Sequence, residues 1–125
     1  LLNSKLHRLR VTQVEIDYEG SCALDTQFME AAKMTEYEKV EIYNVTNGER
    51  FSTYLIAAEA GSKTVSINGA AAHKASPEDI IIICSYASMS EDQISSHAPT
   101  LVYFNESNEI VDIKSSIPTQ RLRSL

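Results

Sequence analysis

With 125 residues, 43% of them hydrophobic, the chain holds enough apolar material to close one core, and a single domain over 1–125 is expected. Eleven Lys and Arg against seventeen Asp and Glu give a formal net charge of −6, which argues against a nucleic-acid backbone or an anionic membrane surface as the main partner. No apolar run nears the roughly 20 residues that span a bilayer, and Cys22 and Cys84 fall in no CxxC or Cys/His cluster, so a soluble, cytoplasmic protein without disulfide framework or zinc site is expected.

Residues 5–18, KLHRLRVTQVEIDY, lack Gly and Pro and predict a long strand ending at Glu19-Gly20. Alternation in its first half puts Lys5, His7, Leu9 and Val11 on one face and Leu6, Arg8, Arg10 and Thr12 on the other. Asp25 reads as the N-cap of a short helix over TQFMEAAKM. KVEIYNVTNGERFSTYLIAAE predicts a hairpin, with Asn47-Gly48 as a two-residue type I′ turn. KTVSING and DIIIICSYASM predict two further strands, the second buried on both faces because its apolar residues run continuously. A short helix after Ser90, closing strands LVYF and EIVDIK, and a frayed tail PTQRLRSL complete the chain. Many short strands with two brief helices predict a mainly β fold, a small closed barrel rather than a doubly wound sheet.

The glycines fall in no GxGxxG or GxxxxGK[ST] spacing, which removes nucleotide binding by those routes. His7, His73 and His97 are scattered, and no metal is expected. Gly20-Ser21-Cys22 taken alone is a connecting turn. Lys5 and His7 on one strand, with Arg50 and Tyr54 on one face of another, bring cations and a phenol to apolar surfaces. They read either as side chains snorkelling to solvent beside a core aromatic or as an anion site in an acidic protein.

The segments KLHRLRVT, DYEGSC, NVTNGERFSTY and SINGAAAH, in this order, resemble the bacterial pyruvoyl-dependent aspartate 1-decarboxylase family from about Lys5 to Tyr103. The resemblance implies a double-psi β-barrel assembled as a homotetramer. It also implies that the Ser21 hydroxyl attacks the Gly20 carbonyl, giving an ester by N-to-O acyl shift. β-Elimination then divides the chain into 1–20 and 21–125, and hydrolysis of the resulting dehydroalanine leaves a covalent pyruvoyl group at position 21. A serine without a neighbouring base needs backbone strain and oxyanion stabilisation for such an attack, and a preceding glycine permits the strained conformer.

By the same resemblance, Thr53 assists at the Gly20 carbonyl and Asn68 is a further donor. The pyruvoyl ketone condenses with the amino group of L-aspartate and accepts electrons as CO2 leaves, and Tyr54 protonates the product toward β-alanine for pantothenate synthesis. Lys5 and Arg50 bind carboxylate, Thr53, Gly69, Ala70 and Ala71 contact substrate, and His7 falls in the pocket neighbourhood with no assigned role. Departures from the family pattern are Tyr43, where Trp is often seen, Lys74, and the tail. Maturation is compatible with both spontaneous cleavage and a helper protein. Two other readings stay open: a relative acting on another small amino acid, and an uncleaved, non-catalytic barrel that binds an anionic metabolite or a protein partner.

Overall fold

The computed structural model describes residues 1–123; of the predicted tail, Ser124 and Leu125 lie outside the described residues, and 118–123 form no helix or strand. The strands are β1 (Leu2–Arg10), β2 (Gln13–Glu15), β3 (Ser21–Asp25), β4 (Lys39–Asn44), β5 (Arg50–Ala58), β6 (Val65–Asn68), β7 (Ile80–Tyr86), β8 (Thr100–Phe104) and β9 (Ile110–Lys114). Helices α1 (Thr26–Ala32) and α2 (Glu91–Ile94) and a 3-10 turn over Gly69–Lys74 complete the elements. The strands are hydrogen-bonded in the order β2-β6-β3-β5-β4-β7-β1-β8-β9. β1 and β2 stand far apart in that order, yet only Val11 and Thr12 separate them in the chain, a reach of about 11 Å. The sheet must therefore curl back on itself. Val11 donates to the Asp79 carbonyl ahead of β7 and Thr12 to the Val65 carbonyl in β6, so this short link stitches the two ends of the curl. The result is mainly β, a small barrel with short helices, in agreement with the double-psi expectation.

Leu6, Leu9, Val11, Leu24, Ile42, Leu55, Ile67, Ile81 and Ile83 are fully buried and form the centre of the core. Helix α1 closes one end, where Phe28 meets Phe104 edge to face at 4.9 Å between ring centroids. Asp25 is the expected N-cap, its carboxylate accepting from Gln27 N, and it does more: the same buried carboxylate accepts from Gly61 N and Lys63 N, tying the loop before β6 to the helix start. Ser90 and Gln93 form a reciprocal capping box on α2.

Four expectations are corrected. The predicted strand over 5–18 is broken at Val11-Thr12, because those two residues carry the links across the curl. The predicted face is broken as well: Lys5 and His7 do not share a side with Leu9 and Val11. Arg8 adopts a left-handed φ of 69°, the pairing with β7 slips between His7 and Leu9, and this bulge exchanges the faces so that Leu9 and Val11 turn inward while Lys5 and His7 face out. The hairpin is present, but its loop spans 45–48 rather than two residues, since Asn44 N bonds to Glu49 O and Gly48 N to Asn44 O. Gly48 is at φ 80° while Asn47 has negative φ, and the buried Asn44 side chain caps the loop by accepting from Thr46 N and Asn47 N. Finally, β7 is buried on both faces only in part: Ile81, Ile83 and Ser85 are buried on the inner side, and on the outer side Cys84 is buried while Ile80 and Ile82 are half-buried.

Candidate active site

The antiparallel register of β3 and β6 pairs Ser21 with Asn68. Ser21 is fully buried, and its Oγ donates to the Glu19 carbonyl at 2.8 Å while accepting from Asn68 Nδ2 at 3.1 Å. The orientation of the Asn68 carboxamide is set from its other end, where the buried Ser66 hydroxyl donates to Oδ1 at 2.7 Å. Ser66 and Asn68 share one side of β6 by strand alternation, a two-residue spacing visible in SING but not used in the sequence reading.

Immediately after Asn68, Gly69 turns left-handed at φ 73°, and a Cβ placed there would lie 2.6 Å from Gly20 Cα. Both facts demand glycine at 69. Gly20 differs from the expectation: it has no left-handed φ, and a Cβ on it would meet nothing within 4 Å. Its neighbourhood is tight because Gly69 presses on it, so the close-approach requirement resides at Gly69. The parallel β3/β5 ladder begins at Cys22 beside Leu55, and Gly20 and Thr53 each stand two residues before that pair. A cleft of about 290 Å³ reaches Ser66 and Asn68 and is lined also by Gln13, Glu15 and Tyr18. A larger cavity, about 510 Å³ between Arg8, Arg10 and the turn after Phe104, contains none of the candidate residues.

The expected cations occupy a different surface, the outer face of β1, β7, β4 and β5. One transverse row there runs His7, Ile82, Tyr43, Arg50, and the next runs Lys5, Cys84, Glu41, Ser52. Tyr54 pairs with Lys39 one row further on, on the same side as Arg50 and Ser52. Three strand spacings and a two-residue offset separate Lys5 from Arg50, so their backbones stand about 16 Å apart, and one chain does not fuse the two into a single bidentate anion site. In the sheet order Lys5 is four strands from Ser21.

Tyr103 gathers the β1 side of this surface. His7 meets its ring edge at 5.3 Å, and the ammonium groups of Lys5 and Lys114 lie 5.9 and 5.0 Å from its centroid. Arg50 lies 4.2 Å from the centroid of Tyr43. Burial, then the charges of Lys5 and Arg8, hold the His7 imidazole below its ordinary pKa, and its buried Nδ1 has no hydrogen-bond partner. Lys74 pairs with Glu49 at 2.7 Å, so this departure from the family pattern serves the hairpin loop. Among the described residues no three His, Cys, Asp or Glu side chains gather as a metal site.

Known proteins match this sequence along nearly the whole chain. The aspartate decarboxylase family model matches residues 1–111. This chain belongs to the aspartate decarboxylase family. Among the curated aspartate decarboxylase relatives, the aspartate 1-decarboxylase of Hydrogenovibrio crunogenus is 53% identical over 120 residues, 96% of this chain and 93% of that protein. Those of Alcanivorax borkumensis and Tolumonas auensis are 51% and 52% identical over the same length, each covering 96% of this chain and 95% of the relative. Tyr43, Tyr86 and Tyr103 join the candidate residues only through the structure, by contacts across neighbouring strands, Ser66 by alternation along β6 and Tyr18 by lining the cleft.

Proposed function

We propose that the chain cleaves itself between Gly20 and Ser21 and, in the resulting two-piece form, converts L-aspartate to β-alanine and CO2 for pantothenate synthesis. The observation that carries this reading is the Ser21 hydroxyl held between Asn68 Nδ2 and the Glu19 carbonyl, with Gly69 pressed against Gly20, in a member of this family. The surroundings suit formation of a pyruvoyl group from Ser21: the side chain is dry, its oxygen is oriented, and the adjacent backbone leaves no room for extra atoms at position 69.

In the first stage the Ser21 oxygen attacks the Gly20 carbonyl carbon, and the peptide nitrogen leaves as an amine, giving an ester. Asn68 orients the attacking oxygen, and Thr53, which like Gly20 stands two residues before the first β3/β5 pair, donates to the developing oxyanion. Elimination across Cα–Cβ of residue 21 frees the Gly20 carboxylate, and addition of water with loss of ammonia completes the change. The bound pyruvoyl group supplies an electrophilic ketone next to a carbonyl that draws electrons as CO2 departs. Arg50 and Lys5 hold the substrate carboxylates, Tyr54 gives a proton to the former α-carbon, and Gly69, Ala70 and Ala71 let backbone approach a small substrate. His7, neutral in the physiological range, stands beside Lys5 as a hydrogen-bonding group rather than a charge. A homotetramer would bring the outer face of one copy to the cleavage cluster of the next, which is how Lys5 and Ser21 come to serve one reaction.

The test is incubation of purified protein with L-aspartate and measurement of β-alanine and CO2. Phenylhydrazine should block it by trapping the ketone, and glutamate should not substitute. Ser21→Ala should stay folded, uncleaved and inactive; β-alanine production by that variant would overturn the proposal.

A further inference from the structure

Tyr43 and Tyr86 meet through their hydroxyl groups at 2.8 Å, although their backbones are far apart along the sheet. Tyr43 is the register partner of Ile82, and Tyr86 lies four residues further along β7, about 13 Å away at strand rise. For the hydroxyls to touch, both side chains must lean toward each other over the Glu41/Cys84 pair, which lies between them. A ring leaning along the sheet turns its face outward, and against that face of Tyr43 the Arg50 guanidinium sits at 4.2 Å. None of the ion pairs among the described residues involves Arg50, so the Tyr43 ring is what fixes where this cation waits.

We propose that the Tyr43–Tyr86 hydroxyl pair is a positioning device for Arg50: the bond pins the far end of the Tyr43 ring, and the pinned ring holds the guanidinium where a substrate carboxylate arrives. This inference rests on the reading that Arg50 binds a substrate carboxylate. Neither tyrosine touches the reacting atoms. The bond between them, and next the burial of Tyr86, raise the Tyr86 phenol above its ordinary range, so Tyr86 keeps its proton through the physiological range.

The experiment is a double-mutant cycle read in KM for L-aspartate, with Tyr43→Phe, Tyr86→Phe and the double variant, each also checked for cleavage at Gly20-Ser21 by intact mass. Phe keeps both rings and removes only the bond. Each single change should raise KM about threefold to tenfold with kcat and cleavage unaltered, and the double should match the singles rather than multiply them. An unchanged KM in the singles, a multiplicative double, or a fall confined to kcat would overturn the inference. Arg50→Gln measured alongside separates the two layers. A raised KM there with flat Tyr→Phe singles removes only the positioning role, whereas an unchanged KM in Arg50→Gln removes the Arg50 reading and this inference with it.

Discussion

Around Ser21 every close contact is neutral: a hydroxyl, a carboxamide, a carbonyl and the bare backbone of Gly69, with Ser21, Ser66, Asn68 and Gly69 buried while Glu19 and Gly20 lie at the surface. The outer face of β1, β7, β4 and β5 is built the other way, with half-buried Lys5 and His7 and exposed Arg50 set against the rings of Tyr103 and Tyr43. On the proposed function, the contrast follows from what each region would have to do. Cleavage joins two groups already in one chain, so geometry is the whole requirement, and a tethered reaction gains most from fixed distance. A free dicarboxylate must be drawn in and oriented, which calls for fixed charge on accessible arms.

The largest expected break falls on the neutral region. Gly69→Ala puts a methyl on a left-handed residue, where it must push Gly20 aside, at a cost of about 3 kcal/mol. Cleavage should stop or slow to days while the barrel survives, as read by gel and circular dichroism; normal cleavage would remove the close approach from the mechanism. Tyr54→Phe should sharpen the contrast from the other side. It should cleave normally and lose about 10²–10⁴ in kcat, the usual range for a general acid, and a wild-type kcat would free Tyr54 from proton transfer.

The smallest effect is on stability. Because burial and neighbouring cations lower the folded-state pKa of His7, the unfolded chain takes up the proton first as pH falls through about 6.5, so stability declines on acidification from there. His7→Gln should flatten that acid-side slope in denaturant titrations at several pH values. An unchanged slope would assign it to other groups.

Much of this was legible in the sequence wherever a signal is local. Asp25 as a cap, the Ser90 start of α2, the hairpin around Asn47-Gly48 and the sharing of one side by Arg50 and Tyr54 depend on residues a few positions apart. The bulge at Arg8 was not legible, because an arginine at φ 69° carries no glycine or asparagine mark and reverses every assignment after it. The turn type failed for a related reason. Asn44, buried and bonded to Lys74 O and Asp79, overrode the local preference of Asn-Gly through distant contacts. Ser21, Thr53, Asn68 and Gly69 could be singled out by family resemblance alone. What the sequence could not express is that Gly69 presses on Gly20 and that Ser66 aims Asn68, since both depend on β6 lying against β3.

The central claim is that Ser21 becomes the reactive group by cutting its own chain, and an intact mass spectrum under denaturing conditions tests it most directly. Two fragments divided at Gly20-Ser21, the larger lighter by one ammonia than hydrolysis alone would leave it, are the expected result. A single unbroken mass that persists after prolonged warm incubation of the purified protein would contradict self-cleavage.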